Sequence, residues 1–82
     1  MKELDHRAVL RLQKEYPAGT RILLLHMEDE PRPIPDNTKG TVEYVDDIGQ
    51  LHCRFDNGHG HTLIPGVDKF RKLTWEETGD KE

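Results

Sequence analysis

The chain has 82 residues, a formal net charge of −4 and a hydrophobic fraction of 33%. This length suits one small domain with a thin core and excludes a second domain or a deep enclosed pocket. The acidic balance disfavours a nucleic-acid partner, the single cysteine excludes an internal disulfide, and no apolar run approaches the ~20 residues of a membrane helix.

The N-terminus has no secretory-signal pattern, so we expect a cytoplasmic protein that does not associate with a membrane.

Residues 1–16 predict an N-terminal α-helix. Leu4, Ala8 and Leu12 recur at four-residue intervals among charged residues. The segment ends before Pro17, because a proline disfavours helical geometry at the residue that precedes it. A helix this short is marginal alone, so we expect its apolar stripe to dock on the rest of the domain or on a second copy of the chain.

The β domain is predicted over residues 17–74. Its first strand, residues 20–27, is apolar on both faces, and we expect the helix to cover the face turned away from the core. Residues 28–38 contain three prolines, which cannot donate ladder hydrogen bonds, so they predict a long loop.

Three further strands are predicted at residues 40–46, 50–56 and 61–64. In the middle one, strict alternation turns Leu51, Cys53 and Phe55 inward and leaves polar side chains outside. The Asn57-Gly58 pair is a strong signal for a tight hairpin. A 3₁₀ turn is then predicted at residues 67–70, a fifth strand at residues 71–74, and a frayed polar tail at residues 75–82.

This order of strands and connections predicts a mainly β fold, a small five-stranded antiparallel SH3-like barrel preceded by one N-terminal α-helix. An OB-fold is the nearest alternative. It normally carries a helix between its third and fourth strands, and the tight Asn57-Gly58 turn leaves no room for one.

Three segments carry a family resemblance: YPAGTRILLLHMED (16–29), PIPDNTKGTVEYVDDIGQLHCRFDNG (33–58) and LIPGVDKFRKL (63–73). They resemble an uncharacterised family of small bacterial and phage-associated domains of unknown function. The helix and the tail lie outside the resemblance. It implies a bacterial origin and a compact β domain, and it supplies no catalytic residues.

Zinc-ligand side chains occur along one predicted hairpin at His52, Cys53, His59 and His61. The adjacent His52 and Cys53 point to opposite faces of a strand, and no Cys-x-x-Cys or His-x₃-His spacing accompanies them. We therefore expect no metal and no cofactor. A nucleophilic Cys53 would need an exposed cleft and a lowered pKa, whereas its alternation with apolar residues buries it.

The carboxylates lie where turns and loops ordinarily place them, so no catalytic residue is expected and the chain is predicted not to be an enzyme.

A binding surface is the remaining candidate. Tyr44, Trp75, Arg54, Lys69 and Arg71 are its proposed members, with the proline-rich loop beside them. In the alternative interpretation, Tyr44 and Trp75 only pack against the rim of the domain. We predict a non-enzymatic module, monomeric or weakly dimeric, that binds an unidentified protein partner.

The alternative function is a nucleic-acid-associated accessory protein. It would use a strip of basic side chains, formed by Lys39, Arg54, Lys69, Arg71 and Lys72.

Overall fold

The computed structural model describes residues 5–28 and 31–78, and for Thr78 the backbone alone. These residues form two helices and five strands in the order α1 (His6–Glu15), β1 (Arg21–His26), β2 (Thr38–Val45), β3 (Leu51–Phe55), β4 (Gly60–Leu63), β5 (Lys69–Lys72) and α2 (Trp75–Thr78). The predicted mainly β class with an N-terminal helix is confirmed.

All five strands belong to one antiparallel sheet with the order β4-β3-β2-β1-β5. The described strands form no ladder between β4 and β5, so the sheet is open and the predicted closure into a barrel is not made. The connection from β4 to β5 spans only residues 64–68 although these strands occupy opposite edges. A sheet of five strands with so short a link between its edges has to be strongly curled.

One face of the sheet forms the core. Leu51, Cys53 and Phe55 are 0%, 2% and 1% exposed, which confirms the predicted inward alternation of β3. Neighbouring strands add further fully buried side chains to this layer, namely Ile22, Leu24, Val42 and Leu63.

The ring of Phe55 lies against the backbone of Gly40, its cross-strand partner on β2. A Cβ at Gly40 would come within 2.6 Å of the Phe55 Cδ1 atom. A glycine at position 40 therefore lets the Phe55 ring lie directly against the backbone of β2.

Helix α1 packs on the core side of the sheet. It begins at Asp5, whose carboxylate accepts a hydrogen bond from the Ala8 N–H at 2.8 Å. Val9 is its buried residue, and Leu12 and Tyr16 pack against the core cluster.

The predicted docking stripe is therefore only partly right. Leu12 contacts the core, Ala8 is half-buried, and Leu4 lies outside the described residues. The expected cover over the second face of β1 is wrong, because α1 lies on the same side as Ile22 and Leu24 and leaves Leu25 38% exposed.

A β-bulge between Leu24 and His26 ends the regular alternation of β1. The bulge inserts one residue into the ladder, so the side chains that follow change faces. His26 therefore points to solvent, and Met27 enters the core with 4% exposure. Strict alternation would instead bury His26 and expose Met27.

The C-terminal part of the chain departs from prediction. Residues 64–68 form a hydrogen-bonded turn in place of the predicted 3₁₀ turn at residues 67–70, and β5 starts at Lys69. Residues 75–78 form α2 where we predicted fraying, because Thr74 and Glu77 hydrogen-bond each other's backbone N–H groups in a capping box. The rest of the predicted tail, residues 79–82, lies outside the described part of the chain.

Neither of the helices that the structure describes has the length and apolar character needed to cross a membrane.

Candidate interaction surface

The face of the sheet opposite the core is lined mainly by polar side chains, and every strand contributes to it. Cross-strand pairing aligns them in rows, because directly opposed residues of antiparallel strands point to the same face. One row joins Tyr44, His52 and Thr62, a second joins Arg21, Thr41 and Arg54, and a third joins Lys39, Leu23 and Arg71. We call this the outer face.

The side chain of Tyr44 is brought to the outer face by a second β-bulge, between Val42 and Tyr44. Strict alternation from the buried Val42 would turn Tyr44 into the core. The bulge adds Glu43 as an extra residue on β2, so that Tyr44 lies opposite His52 and the next residue, Val45, returns to the core.

The rings of Tyr44 and His52 are stacked, with centroids 4.3 Å apart and planes inclined by 6°. Tyr44 is nevertheless 54% exposed, so much of its ring remains open to solvent. We refer to this pair as the Tyr44–His52 platform.

Hydrogen bonds on both sides of its ring hold His52 in place. Its Nε2 atom lies 2.8 Å from an Asp46 carboxylate oxygen, and its Nδ1 atom lies 3.4 Å from the Thr62 hydroxyl. A carboxylate can only accept, so Nε2 donates to Asp46. In the neutral imidazole Nδ1 is then the acceptor, and the Thr62 hydroxyl donates to it.

Asp46 is itself fixed by the hairpin turn between β2 and β3. Its Oδ1 atom accepts the N–H groups of Ile48 and Gln50 at 3.1 and 2.9 Å. Partial burial raises the pKa of Asp46, but the hydrogen bonds from His52 and from these two N–H groups outweigh that effect and lower it overall. The Tyr44–His52 platform is thus anchored by Asp46, whose side chain also orders the hairpin turn.

Each arginine of the outer face is paired with a carboxylate. Arg21 binds Asp56 through two hydrogen bonds of 2.9 and 2.8 Å, and Arg71 binds Glu77 through two of 2.8 Å. Arg54 contacts Glu43 at 3.3 Å. Hydrogen bonding to Arg71 lowers the pKa of Glu77 to about 2, so that carboxylate is ionised at neutral pH.

The predicted basic strip is therefore not a row of unpaired cations. Lys72 lies apart from it, on the core side, with its Nζ atom 5.1 Å from the centre of the Tyr16 ring. Lys39 remains on the outer face and donates to the Glu77 carbonyl oxygen at 3.3 Å. Lys69 lies opposite His26 at the end of β1 and is exposed.

The two aromatic residues of the predicted surface belong to separate regions. Trp75 is 61% exposed and lies in α2, which is tied to the third row through Glu77. Along β2, Tyr44 is five residues from Lys39, and Arg71 lies two strands further across the sheet, so Tyr44 and Arg71 are roughly 20 Å apart. The structure does not bring Tyr44 and Trp75 into one groove.

The cysteine and histidine side chains of the β3–β4 hairpin are divided between the two faces of the sheet, with His52 on the outer face and Cys53 and His61 on the core side. Burial raises the pKa of Cys53 to about 12, with a smaller contribution from Glu43. His61 is the cross-strand partner of Cys53, and its Nδ1 atom lies 3.0 Å from the Thr62 backbone nitrogen. In the part of the chain that the structure describes, no three His, Cys, Asp or Glu residues are grouped as metal ligands would be.

Residues 5–73, which run from the cap of α1 to the residue after β5, match the family described as a domain of unknown function (DUF4314). The chain belongs to the DUF4314 family. The match includes α1, which the resemblance noted from the sequence left outside. No curated protein and no solved structure matches the chain.

One polar anchor of this DUF4314 domain was missed by sequence reasoning. Asp68 is 7% exposed, and its carboxylate accepts the N–H groups of Glu28 and Ile64 at 3.0 and 2.9 Å. It joins the end of β1 to the end of β4 and so supports the curl of the sheet. The sequence offered a turn signal in Pro65-Gly66, but no sign that the nearby carboxylate would be buried.

Proposed function

We propose that this DUF4314 domain is a non-enzymatic module that binds a partner protein through the Tyr44–His52 platform. The observation that carries the proposal is a large aromatic side chain, 54% exposed, whose position is fixed by stacking on a hydrogen-bonded histidine.

Such an arrangement suits recognition because binding costs less when the contact residue is already ordered. Tyrosine supplies a large apolar area with few rotatable bonds, and tyrosines are enriched among the residues that dominate binding energy at protein interfaces. Here the stacking partner is ordered too, through Asp46 and Thr62.

The surroundings of the platform favour a partner segment with a cationic or aromatic side chain. Asp47 is exposed near Tyr44 in the chain, and the net charge is −4. An arginine or lysine of the partner would gain from the open face of the Tyr44 ring as well as from the acidic balance.

The pairing of the arginines supports a protein partner over nucleic acid. Binding to nucleic acid relies on cations that neutralise phosphates, and Arg21, Arg54 and Arg71 are already neutralised by carboxylates on the same surface. A nucleic-acid-associated role remains the second candidate, and it would have to break these pairs.

Asp46, His52 and Thr62 are hydrogen-bonded in the order of a carboxylate–imidazole–hydroxyl triad. The Thr62 hydroxyl is 3.4 Å from the imidazole, longer than the 2.6–3.2 Å typical of an activated nucleophile. We assign the series to holding the platform in place. We also propose a cytoplasmic setting and a bacterial or phage-associated origin, and the motif resemblance supports the latter.

The proposal is tested by panning a random peptide library against the purified domain and measuring the selected peptides by titration calorimetry. We expect Tyr44→Ala to weaken binding at least tenfold and Tyr44→Phe to retain it. Leu10→Ala is the matched control, because Leu10 is 49% exposed on α1, on the other side of the molecule.

Peptides that bind the Tyr44→Ala variant as tightly as the wild type would refute the proposal, provided that thermal melts show both proteins folded. A salt-sensitive shift of single- or double-stranded DNA or RNA that is lost with Arg54→Ala and Lys69→Ala would favour the nucleic-acid alternative instead.

A further inference from the structure

The two edges of the sheet differ in how they are protected against pairing. Edge β5, with the sequence KFRK, carries three cationic residues in four positions. Cationic side chains, lysines above all, are a common means of preventing one sheet edge from pairing with another. Edge β4, with the sequence GHTL, carries no Lys, Arg, Asp or Glu.

The hydrogen-bond pattern shows which backbone groups of β4 face away from the sheet. The Phe55 N–H donates to the His59 carbonyl at 2.8 Å, so these two residues form a hydrogen-bonded pair. Hydrogen-bonded and non-hydrogen-bonded pairs alternate along an antiparallel ladder. The N–H and C=O groups of Gly60 and Thr62 therefore point outward from the edge.

The outward-facing pattern stops after Thr62. The next residue in the series, Ile64, has its N–H bonded to the Asp68 carboxylate at 2.9 Å, and its carbonyl accepts the N–H groups of Val67 and Asp68. A strand added to this edge therefore has only the groups of Gly60 and Thr62 to pair with.

We propose that β4 pairs antiparallel with β4 of a second copy of the chain, so that Gly60 of each copy lies opposite Thr62 of the other. This two-fold pairing is centred on His61 and uses all the outward-facing groups, which form four inter-chain hydrogen bonds. In the single chain the Thr62 N–H donates to the Nδ1 atom of His61. In the dimer it donates instead to the Gly60 carbonyl of the second copy.

A second copy suits this edge because the strand is self-complementary. No Lys, Arg, Asp or Glu side chains meet when β4 faces itself, and a residue without a side chain lies opposite a β-branched one. The same pairing at β5 would bring cations together. With four hydrogen bonds and a short strand, the dimer belongs to the class of small, weak interfaces, with a Kd on the order of 100 µM.

The proposed register is tested by two double variants measured by sedimentation equilibrium up to about 1 mM. Gly60→Lys with Thr62→Lys places two lysines opposite each other twice per dimer, and we expect it to weaken association at least tenfold. Gly60→Glu with Thr62→Lys places opposite charges face to face, and we expect association to be retained or strengthened.

Both variants carry the same change at Thr62, so they differ only in the sign of the charge at position 60. A side chain is accommodated there, since a Cβ at Gly60 would lie 3.7 Å from its nearest neighbour, the Cys53 carbonyl oxygen. Ala18→Lys with Pro33→Lys serves as a control that adds the same charge at exposed positions away from β4.

Amide exchange of the wild type gives an independent readout. We expect the amide protons of Gly60 and Thr62 to exchange more slowly as the concentration rises from about 20 µM to about 1 mM, whereas those of Phe70 and Lys72, which face outward from β5, stay unchanged. A monomer throughout this range, or a dimer that both double variants weaken equally, would overturn the proposal. The Tyr44→Ala variant should still dimerise, so the proposed partner binding and this pairing fail separately.

Discussion

Gly40 offers the sharpest test of the packing described above. A methyl group at this position would lie 2.6 Å from Phe55 Cδ1, 2.9 Å from Cε1 and 3.2 Å from the Arg54 carbonyl oxygen. The ring would have to retreat by almost 1 Å to reach an ordinary contact distance, but Phe55 is 1% exposed and enclosed by the core.

The expected cost of Gly40→Ala follows from two opposing effects. Overpacking of a filled core typically costs about 1–3 kcal/mol, and the loss of backbone freedom in the unfolded chain returns about 0.4–1 kcal/mol. We therefore expect the free energy of unfolding to fall by about 1–2 kcal/mol. For a domain of this size that lowers the midpoint of thermal unfolding by roughly 5–15 °C.

The measurement is thermal and urea unfolding followed by circular dichroism. Gly60→Ala is the matched control and should leave stability nearly unchanged, because its nearest neighbour would be 3.7 Å away. Combining Gly40→Ala with Phe55→Leu should cost less than the sum of the two single changes, since the smaller side chain relieves the clash. If Gly40→Ala proved as stable as the wild type, or if the two costs added, the proposed contact would be refuted.

Three further predictions concern polar and titrating groups. Asp68→Ala should lower the free energy of unfolding by about 2–3 kcal/mol, because it removes the acceptor of two backbone N–H groups. Asp68→Asn should cost less, and equal losses for the two variants in urea melts would contradict this prediction. Hydrogen bonding to Asp36 raises the pKa of His26, so this contact stabilises the fold fully below the unfolded pKa of 6.5 and is lost as pH rises through the higher folded value. Asp36→Asn should therefore lower the urea midpoint at about pH 5.5 and leave it unchanged at about pH 8.5, and a loss of the same size at both would count against the contact. Cys53 should react with a thiol reagent only as fast as the protein unfolds. Its pKa of about 12 leaves roughly 10⁻⁴ of the thiol ionised at pH 8. Rapid labelling under native conditions would contradict the burial of Cys53.

Regular alternation in the sequence was enough to predict β3 and the hairpin that joins it to β4. Leu51, Cys53 and Phe55 alternate without interruption, and the Asn57-Gly58 turn sets the hairpin that follows. Both depend on neighbours close in the chain, so the information is local.

The two β-bulges could not be predicted, because a bulge changes which face the following residues occupy without a local signal. The bulge after Val42 turns Tyr44 outward, and the bulge after Leu24 exposes His26 and buries Met27. Strict alternation gives the opposite face in each case.

The side of the sheet that α1 covers could likewise not be predicted from the sequence. Apolar residues on both faces of β1 suggested two covers, yet Leu25 stays exposed and Leu23 is only half-buried between Lys39 and Arg71. Helix α2, by contrast, had a readable signal. Thr74 followed by Glu77 has the spacing of a capping box, and it was overlooked because the tail is polar.

For the candidate surface, the exposure of the individual residues was predictable but their arrangement was not. Tyr44, Arg54, Lys69, Arg71 and Trp75 are all substantially exposed, as a binding surface requires. Their division into separate regions, and the pairing of Arg21 with Asp56, which is distant in sequence, depend on how the strands pair. The same holds for the Asp46–His52–Thr62 series, whose members come from three places in the chain.

The most direct test of the proposed binding role is a map of backbone amide shifts by ¹H–¹⁵N NMR during titration with a library-selected peptide. If partner binding uses the Tyr44–His52 platform, the largest shifts fall on Tyr44, His52 and Thr62, and α1 is unaffected. Shifts concentrated on α1 around Leu10, with the platform unchanged, would contradict the account.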